Sequence, residues 1–290
     1  MVDPIHESPH ASDDPAYCET WAYTLTDPGQ RTTALVHASW LPGRGVGNHL
    51  VSVHRDGRAV VRRVETRDPF RSELLSLDVD PWRAARVRCP ELELDLAWQA
   101  FTPPIDFGAL FDLGDAMRQR HVQAGVRADG KLLGVSLERA PGFRDRSWGP
   151  RDLRRMGRIV ALLMTGTERD LFVTVNTMTG CDRPFSAGPD TSLGCTAVDG
   201  EVRVFSEPPR VLRNRDGTPA CFELPGGLCI DLDLDEAIHE ERFLADRGSA
   251  AESFPTAEAV FAFRFWSLAA QARGLGRLAG SYQEGILLTH

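Results

Sequence analysis

Pro141-Gly142-Phe143-Arg144-Asp145-Arg146-Ser147-Trp148-Gly149-Pro150-Arg151-Asp152 is the most unusual stretch of this 290-residue chain. Three arginines, two aspartates and a tryptophan fall within nine residues, between a strand-like run and the next hairpin. Upstream, Lys131 to Leu137 is a Leu- and Val-bearing run that follows Asp129-Gly130. Downstream, Arg158 to Met164 and Leu171 to Thr177 flank Thr165-Gly166-Thr167 and a charged turn, which reads as a hairpin. Further Asp-Gly pairs stand at Asp56-Gly57, Asp199-Gly200 and Asp216-Gly217. Asp-Gly accepts the positive φ values of a type I′ turn, so all four pairs are expected at hairpin tips. Leu92, Leu94, Leu96 and Trp98 alternate with Glu91, Glu93, Asp95 and Ala97, the period-two pattern of a half-buried strand. Phe261, Phe263 and Phe265 put three rings on one face of a strand, although Ala257 to Ala272 can also be drawn as an apolar helix. Short helices are expected at Phe107 to Met117 and Leu234 to Leu244. The sum is about fourteen to eighteen short strands, an all-β chain of barrels or sandwiches.

The opening segment resembles the Gly-x-x-Arg-Asp-His-Ser-Trp-Gly-x-Arg-Asp signature of the double-lipocalin group. That group holds bacterial carotenoid 1,2-hydratases (hydroxyneurosporene synthases), AttH-like proteins and many actinobacterial members, with fungal lipocalin-type Diels–Alderases as remote relatives. Trp21-Ala22-Tyr23-Thr24-Leu25-Thr26-Asp27 resembles the family's opening aromatic strand, His121-Val122-Gln123 an element preceding the signature, and Leu278 to Glu284 the closing Gly- and Glu-containing strand. The family's histidine is Arg146 here, and a guanidinium stays protonated, so it cannot pass a proton in that histidine's place. The resemblance implies two tandem lipocalin- or calycin-like antiparallel β-barrels with short helices, at residues 15–150 and 151–290, each of a size to enclose one small hydrophobic ligand. It also implies cofactor-free chemistry of the hydratase kind, begun by protonation from a carboxylic acid.

Composition narrows the classes. Lys and Arg number 33 against 41 Asp and Glu, a net charge of −8, which carries no basic footprint for nucleic acid. Lys131 is the only lysine, so Schiff-base chemistry rests on one residue. Met1 to Asp14 has no apolar run, and no transmembrane segment is read anywhere, so a cytoplasmic location is expected. The six cysteines show no CxxC or Cys/His spacing and are expected as buried free thiols, with neither disulfides nor a metal site. Gly43 to Asn48 lacks the Lys-Ser/Thr of a phosphate loop, and no Gly-x-Ser-x-Gly frame is present.

Within the signature, Asp145 is the candidate acid or base, because a carboxyl beside an apolar cavity holds its proton nearer neutral pH. Trp148 could steady a cation through its ring face. The competing reading has Arg144 and Arg151 holding Asp145 and Asp152 in structural ion pairs between the barrels. His121 and Gln123 share one strand face and could point into a cavity as a catalytic and a substrate-binding residue. Tyr282 and Glu284 share another face, with Glu284 either a pocket acid or a salt-bridge partner. Arg146, Trp40, Trp98 and Trp266 complete the candidate substrate contacts. No cofactor and no metal are read from the sequence. Two functions stay open: a cofactor-independent enzyme on a terpenoid, steroid-like or polyketide substrate (hydro-lyase, isomerase or cyclase), and a carrier of a hydrophobic small molecule.

Overall fold

The computed structural model describes residues 2–14, 17–107, 120–150, 156–180, 191–234, 237–245 and 260–289. It contains two ten-stranded antiparallel sheets. The first comprises β1 (Tyr17–Asp27), β2 (Thr32–Leu41), β3 (Val46–Arg55), β4 (Arg58–Thr66), β5 (Ser76–Asp80), β6 (Ala84–Cys89), β7 (Leu94–Ala100), β8 (Ile105–Asp106), β9 (Arg120–Leu132) and β10 (Val135–Pro150). The second comprises β11 (Met156–Gly166), β12 (Leu171–Gly180), β13 (Thr191–Val198), β14 (Glu201–Val204), β15 (Arg210–Arg213), β16 (Pro219–Leu224), β17 (Leu228–Leu232), β18 (His239–Ala245), β19 (Val260–Ala272) and β20 (Gly276–Thr289). The first sheet runs β4-β3-β2-β1-β10-β9-β7-β6-β5 with β8 added to β9. The second runs β14-β13-β12-β11-β20-β19-β17-β16-β15 with β18 added to β19, the same order moved on by ten strands. The chain is thus all-β, as the tandem-barrel reading requires, with each sheet curled into a half-barrel around its own core.

Alternation builds those cores. Trp21, Tyr23 and Leu25 of β1 and Leu94, Leu96 and Trp98 of β7 turn inward into the first, while Leu162, Met164, Trp266 and Leu268 turn into the second. Among the described residues no helix is long and apolar enough to cross a membrane. Short 3-10 turns stand at Pro4–Glu7, Pro42–Arg44 and Pro90–Leu92.

Three of the four Asp-Gly pairs sit in turns between paired strands. Asp56 and Gly57 have φ of 49° and 78°, and Asp199 and Gly200 have 49° and 84°, the two positive values of a type I′ turn. Gly217 follows with φ 86°. Asp129-Gly130 corrects the expectation, since it lies inside β9 and the tip falls at Leu133-Gly134. The glycine is needed there because a Cβ would stand 2.1 Å from the Asp95 carbonyl oxygen. Asp129 serves the neighbouring β-bulge, accepting from the Arg139 amide at 2.8 Å where the β9–β10 register shifts between Leu137 and Ala140.

Other expectations are corrected too. The described residues between Leu234 and Leu244 are not helical, because β18 pairs with β19 from His239 onward. The expected helix at Phe107 to Met117 lies, beyond Phe107, outside the described residues. Pro141 to Pro150 does not link a strand to a hairpin, because it is the second half of β10, paired on both sides with β1 and β9. Cys221 and Cys229 form a disulfide, brought together by the β16–β17 hairpin with Cα atoms 6.5 Å apart. Cys18, Cys89 and Cys195 are buried free thiols, and Cys181 lies outside the described residues.

The sheets meet reciprocally. Thr26 of β1 donates to the Gly280 carbonyl at 3.3 Å, and Thr165 of β11 donates to the Gly142 carbonyl at 2.7 Å. Arg127 of β9 adds an anchor, donating to the Gly166 carbonyl at 2.7 Å and reaching Asp170 at 3.1 Å.

Candidate active site

Alternation along β10 splits the signature between two environments. Arg144, Arg146 and Trp148 face the interior of the first barrel, whereas Phe143, Asp145 and Ser147 face outward. Arg144 pairs there with Glu7. Arg146 is fully buried against an equally buried Glu19, donates to the His6 carbonyl at 3.0 Å, and lies 3.9 Å from the centre of the Trp21 ring. Its donors go to groups of the protein itself. Trp148 stacks on His6 and His10, with ring centres 4.9 and 5.6 Å away. The structure therefore does not bring Trp148 or Arg146 beside Asp145. Arg151 and Asp152 lie outside the described residues.

Asp145 meets the other two polar residues that the sequence singled out on β9. Its Oδ2 is hydrogen-bonded by His121 Nε2 and accepts from Gln123 Nε2 at 2.9 Å. The ladder explains the meeting, because Asp145 pairs directly with Gln123, and His121 stands two residues along on the same face. The second sheet then fixes the amide. Thr174 Oγ1 of β12 donates to Gln123 Oε1 at 2.7 Å, and Asn176 Nδ2 donates to Thr174 Oγ1 at 3.2 Å. With its carbonyl held by Thr174, the Gln123 amide is obliged to point its NH2 at the carboxylate. Thr174 and Asn176 carried no signal in the sequence.

The surroundings of this network are apolar. Ile105, Phe107, Phe143, Leu163 and Phe172 form one buried cluster contributed by both sheets, and the Phe107 ring lies 5.8 Å from that of His121. His121 and Asp145 nevertheless keep 20% of their side-chain surface accessible. An acid–base pair that shares one hydrogen bond, sits beside an apolar wall and still reaches solvent can hand a proton to a small molecule. Cys195, in the same cluster, is no nucleophile, because burial pushes its thiol up to about 12.

The remaining candidates are placed elsewhere. Trp98 is in the first core, donating to the Thr24 carbonyl at 3.0 Å, and Trp40 packs against that core. Trp266 and Tyr282 lie in the second core with ring centres 5.2 Å apart. Burial pushes the Tyr282 hydroxyl well above its ordinary value, with the Glu284 charge adding to the rise. Glu284 accepts from Arg158 at 2.7 Å and from Arg213. Burial raises its carboxyl, but the neighbouring Tyr282 hydroxyl and the Arg213 and Arg158 guanidinium groups outweigh that and hold it below the ordinary value. It is an ionised acceptor at neutral pH, unsuited to acting as an acid. Among the described residues, the one trio with metal-ligand geometry is Cys221, Cys229 and Asp231, and its two sulfurs are joined in the disulfide.

Comparison with known proteins agrees with this architecture. The chain is similar in structure to CghA solved with Sch210972, with a TM-score of 0.59 at 14% identity over 95% of this chain and 89% of that one. It is similar to kievitone hydratase from Nectria haematococca, with a TM-score of 0.57 at 12% identity over 100% of this chain and 94% of that one. An AttH-like protein from Nitrosomonas europaea matches with a TM-score of 0.56 at 12% identity, over 95% of this chain and 94% of that one. These likenesses establish a shared double-barrel fold. No curated protein matches the chain by sequence. Residues 3–207 match the family described as Domain of unknown function (DUF7064), and the chain belongs to it.

Proposed function

That family description assigns no chemistry, so the site must supply it, and we propose a cofactor-independent enzyme that acts by acid–base catalysis on a hydrophobic terpenoid, steroid-like or polyketide substrate. The observation that carries this reading is the His121–Asp145 pair, clamped by Gln123 from one sheet and Thr174 from the other, at the edge of an apolar cluster. The name of kievitone hydratase, a protein of the same fold, favours addition or removal of water over isomerisation or cyclisation.

In the hydration direction the pair delivers a proton to one carbon of a substrate double bond. Water bonds to the other carbon and returns a proton to the pair, so that the product gains one water and the enzyme is unchanged. The apolar wall formed by Phe107, Phe143 and Phe172 holds the hydrocarbon and limits water to the nucleophile. Gln123, fixed by Thr174, keeps the carboxylate aimed while its charge changes. Asp145 and His121 are the proposed catalytic pair, and Gln123 is a positioning residue.

The test is incubation of the protein in D2O with prenylated phenols, isoprenoid alkenes and tertiary isoprenoid alcohols, with mass spectrometry as readout. Gain or loss of one water, or deuterium fixed at carbon, is expected for at least one class. Asp145→Asn should lower that rate about 10²- to 10⁴-fold while the circular dichroism spectrum stays unchanged. An Asp145→Asn protein as active as the parent would refute the assignment. A ligand retained tightly but recovered chemically unchanged would make the protein a carrier instead.

A further inference from the structure

The opposite face of β10 carries a second site, one the proposed reaction does not use. The first barrel's interior is closed by residues 2–10, which are held by side chains and not by strand pairing. Pro4–Glu7 forms one 3-10 turn, capped by the Asp3 carboxylate that accepts from the Ile5 amide at 3.0 Å. Trp82 Nε1 donates to the Asp3 carbonyl at 3.1 Å and Trp21 Nε1 to the Glu7 carbonyl at 3.1 Å, while Arg146 takes the His6 carbonyl. Val2 packs on Trp82, Val122 and Trp148. At the centre Glu7 reaches Arg144, both side chains almost wholly buried.

That central pair fits poorly. Glu7 Oε2, Arg144 Nη1 and the Tyr23 hydroxyl are all buried without a hydrogen-bond partner. Arg144 lies 5.5 Å from the Tyr23 ring centre and 5.2 Å from that of Trp82, so the three unmet groups belong to one aromatic-walled site. A guanidinium fork is built to hold both oxygens of a carboxylate at once, and here it holds one. Burial raises the Glu7 carboxyl above its ordinary value, and the charges of Arg144 and Arg146 do not make that good. Trp21 holds the Glu7 backbone carbonyl, and Glu7 Oε1 accepts from the Trp82 amide at 3.4 Å as well as from Arg144, so the carboxylate is divided between two donors on one oxygen.

We propose that this end of the first barrel is a binding site for a lipophilic carboxylate, kept closed by Glu7 acting as a tethered stand-in for the ligand's own carboxylate. A free carboxylate can align both oxygens on Arg144 and accept from the Tyr23 hydroxyl. Its apolar body would replace Val2 against Trp82 and Trp148. The tether makes Glu7 a competitor at millimolar effective concentration, so a ligand must displace it.

The experiment titrates a fluorescent polyene fatty acid and its methyl ester into three full-length proteins: parent, Glu7→Gln, and Glu7→Gln with Arg144→Met. Glu7→Gln is expected to bind the acid at least tenfold more tightly than the parent and tenfold more tightly than the ester. Adding Arg144→Met should erase the preference for acid over ester. Equal affinity of parent and Glu7→Gln for the acid, no preference for the acid in Glu7→Gln, or a preference that survives Arg144→Met would each overturn the proposal. Should the variants fail to fold, hydrogen exchange on the parent decides. Saturating acid must speed exchange of the amides of residues 5–8 where the ester does not, and equal exchange with both overturns the proposal.

Discussion

The two sheets correspond strand for strand, and around one pair of glycines their registers can be compared position by position, where they differ in an informative way. Gly142 of β10 and Gly280 of β20 are counterparts, since each has its carbonyl bonded by a threonine of the opposite sheet. A Cβ at either would stand within 2.2 or 2.0 Å of a neighbouring carbonyl oxygen. Counting from them, Arg146 corresponds to Glu284 and Glu19 to Arg158, so each barrel holds a Glu–Arg pair at the same register positions with the charges exchanged. The same count sets Asp145 against Gln283, Gln123 against Phe265 and His121 against Phe263. The inward ion pair recurs in both halves, as a structural element would. The outward acid–base pair occurs in one half alone, and the other half folds with phenylalanines at two of its three positions. What the frame needs is repeated, and what it does not need is a candidate for function.

The strongest way to break the shared part is to empty one side of it. Glu19→Ala leaves Arg146, with no solvent-accessible surface, uncompensated in the first core, and should cost about 3–5 kcal/mol in a urea denaturation series. Glu284→Ala should cost less, because Arg158 and Arg213 retain 24% and 25% of their side-chain surface and can rehydrate. Exchanging the charges by Glu19→Arg with Arg146→Glu imitates the second barrel and should recover only part of the loss. The new carboxylate would lie against the face of Trp21, whose ring favours a cation. Equal losses at Glu19 and Glu284 would mean that burial does not set the difference.

Counterpart glycines should give counterpart penalties. Gly142→Ala and Gly280→Ala each drive a methyl group into a backbone carbonyl, of Thr24 and of Leu163. Each should cost about 1–3 kcal/mol, and the two melting-temperature shifts should agree closely. A large penalty in one sheet alone would show that the registers are not equivalent.

Local signals were legible in the letters and distant ones were not. Asp56-Gly57 and Asp199-Gly200 announce their turns because positive φ is a property of the dipeptide itself. Leu94, Leu96 and Trp98 announce a strand by alternation. Asp129-Gly130 misleads because its glycine answers the approach of the Asp95 carbonyl, a contact across the sheet. The meeting of Asp145 with Gln123 depends on the bulge beyond Leu137, since a one-residue slip would turn Asp145 to the other face. Glu7 and Thr174, the partners that tell Arg144 apart from Gln123, stand 137 and 51 residues away from them. The family resemblance supplied the double barrel and pointed at the β10 segment, but the division of that segment between two faces came only from strand pairing.

The smallest expected effect contrasts the two buried glutamates by pH. Glu284 is held below the ordinary 4.5, so its contribution to stability is fully present above that value and is lost as pH falls through the lower folded value. Glu7 is displaced the other way, chiefly by burial, so its contribution is present below 4.5 and is lost as pH rises through the higher folded value. Replacing each with glutamine removes its titration while nearly keeping its shape. Relative to the parent, Glu284→Gln should therefore be most destabilising near pH 7 and least near pH 3. Glu7→Gln should show the reverse slope, favouring the variant as pH rises from 4 to 7. The two slopes should therefore have opposite signs. Chemical denaturation at four pH values between 3 and 7 measures both, and slopes of the same sign would mean that Arg144 satisfies Glu7 as fully as Arg158 and Arg213 satisfy Glu284.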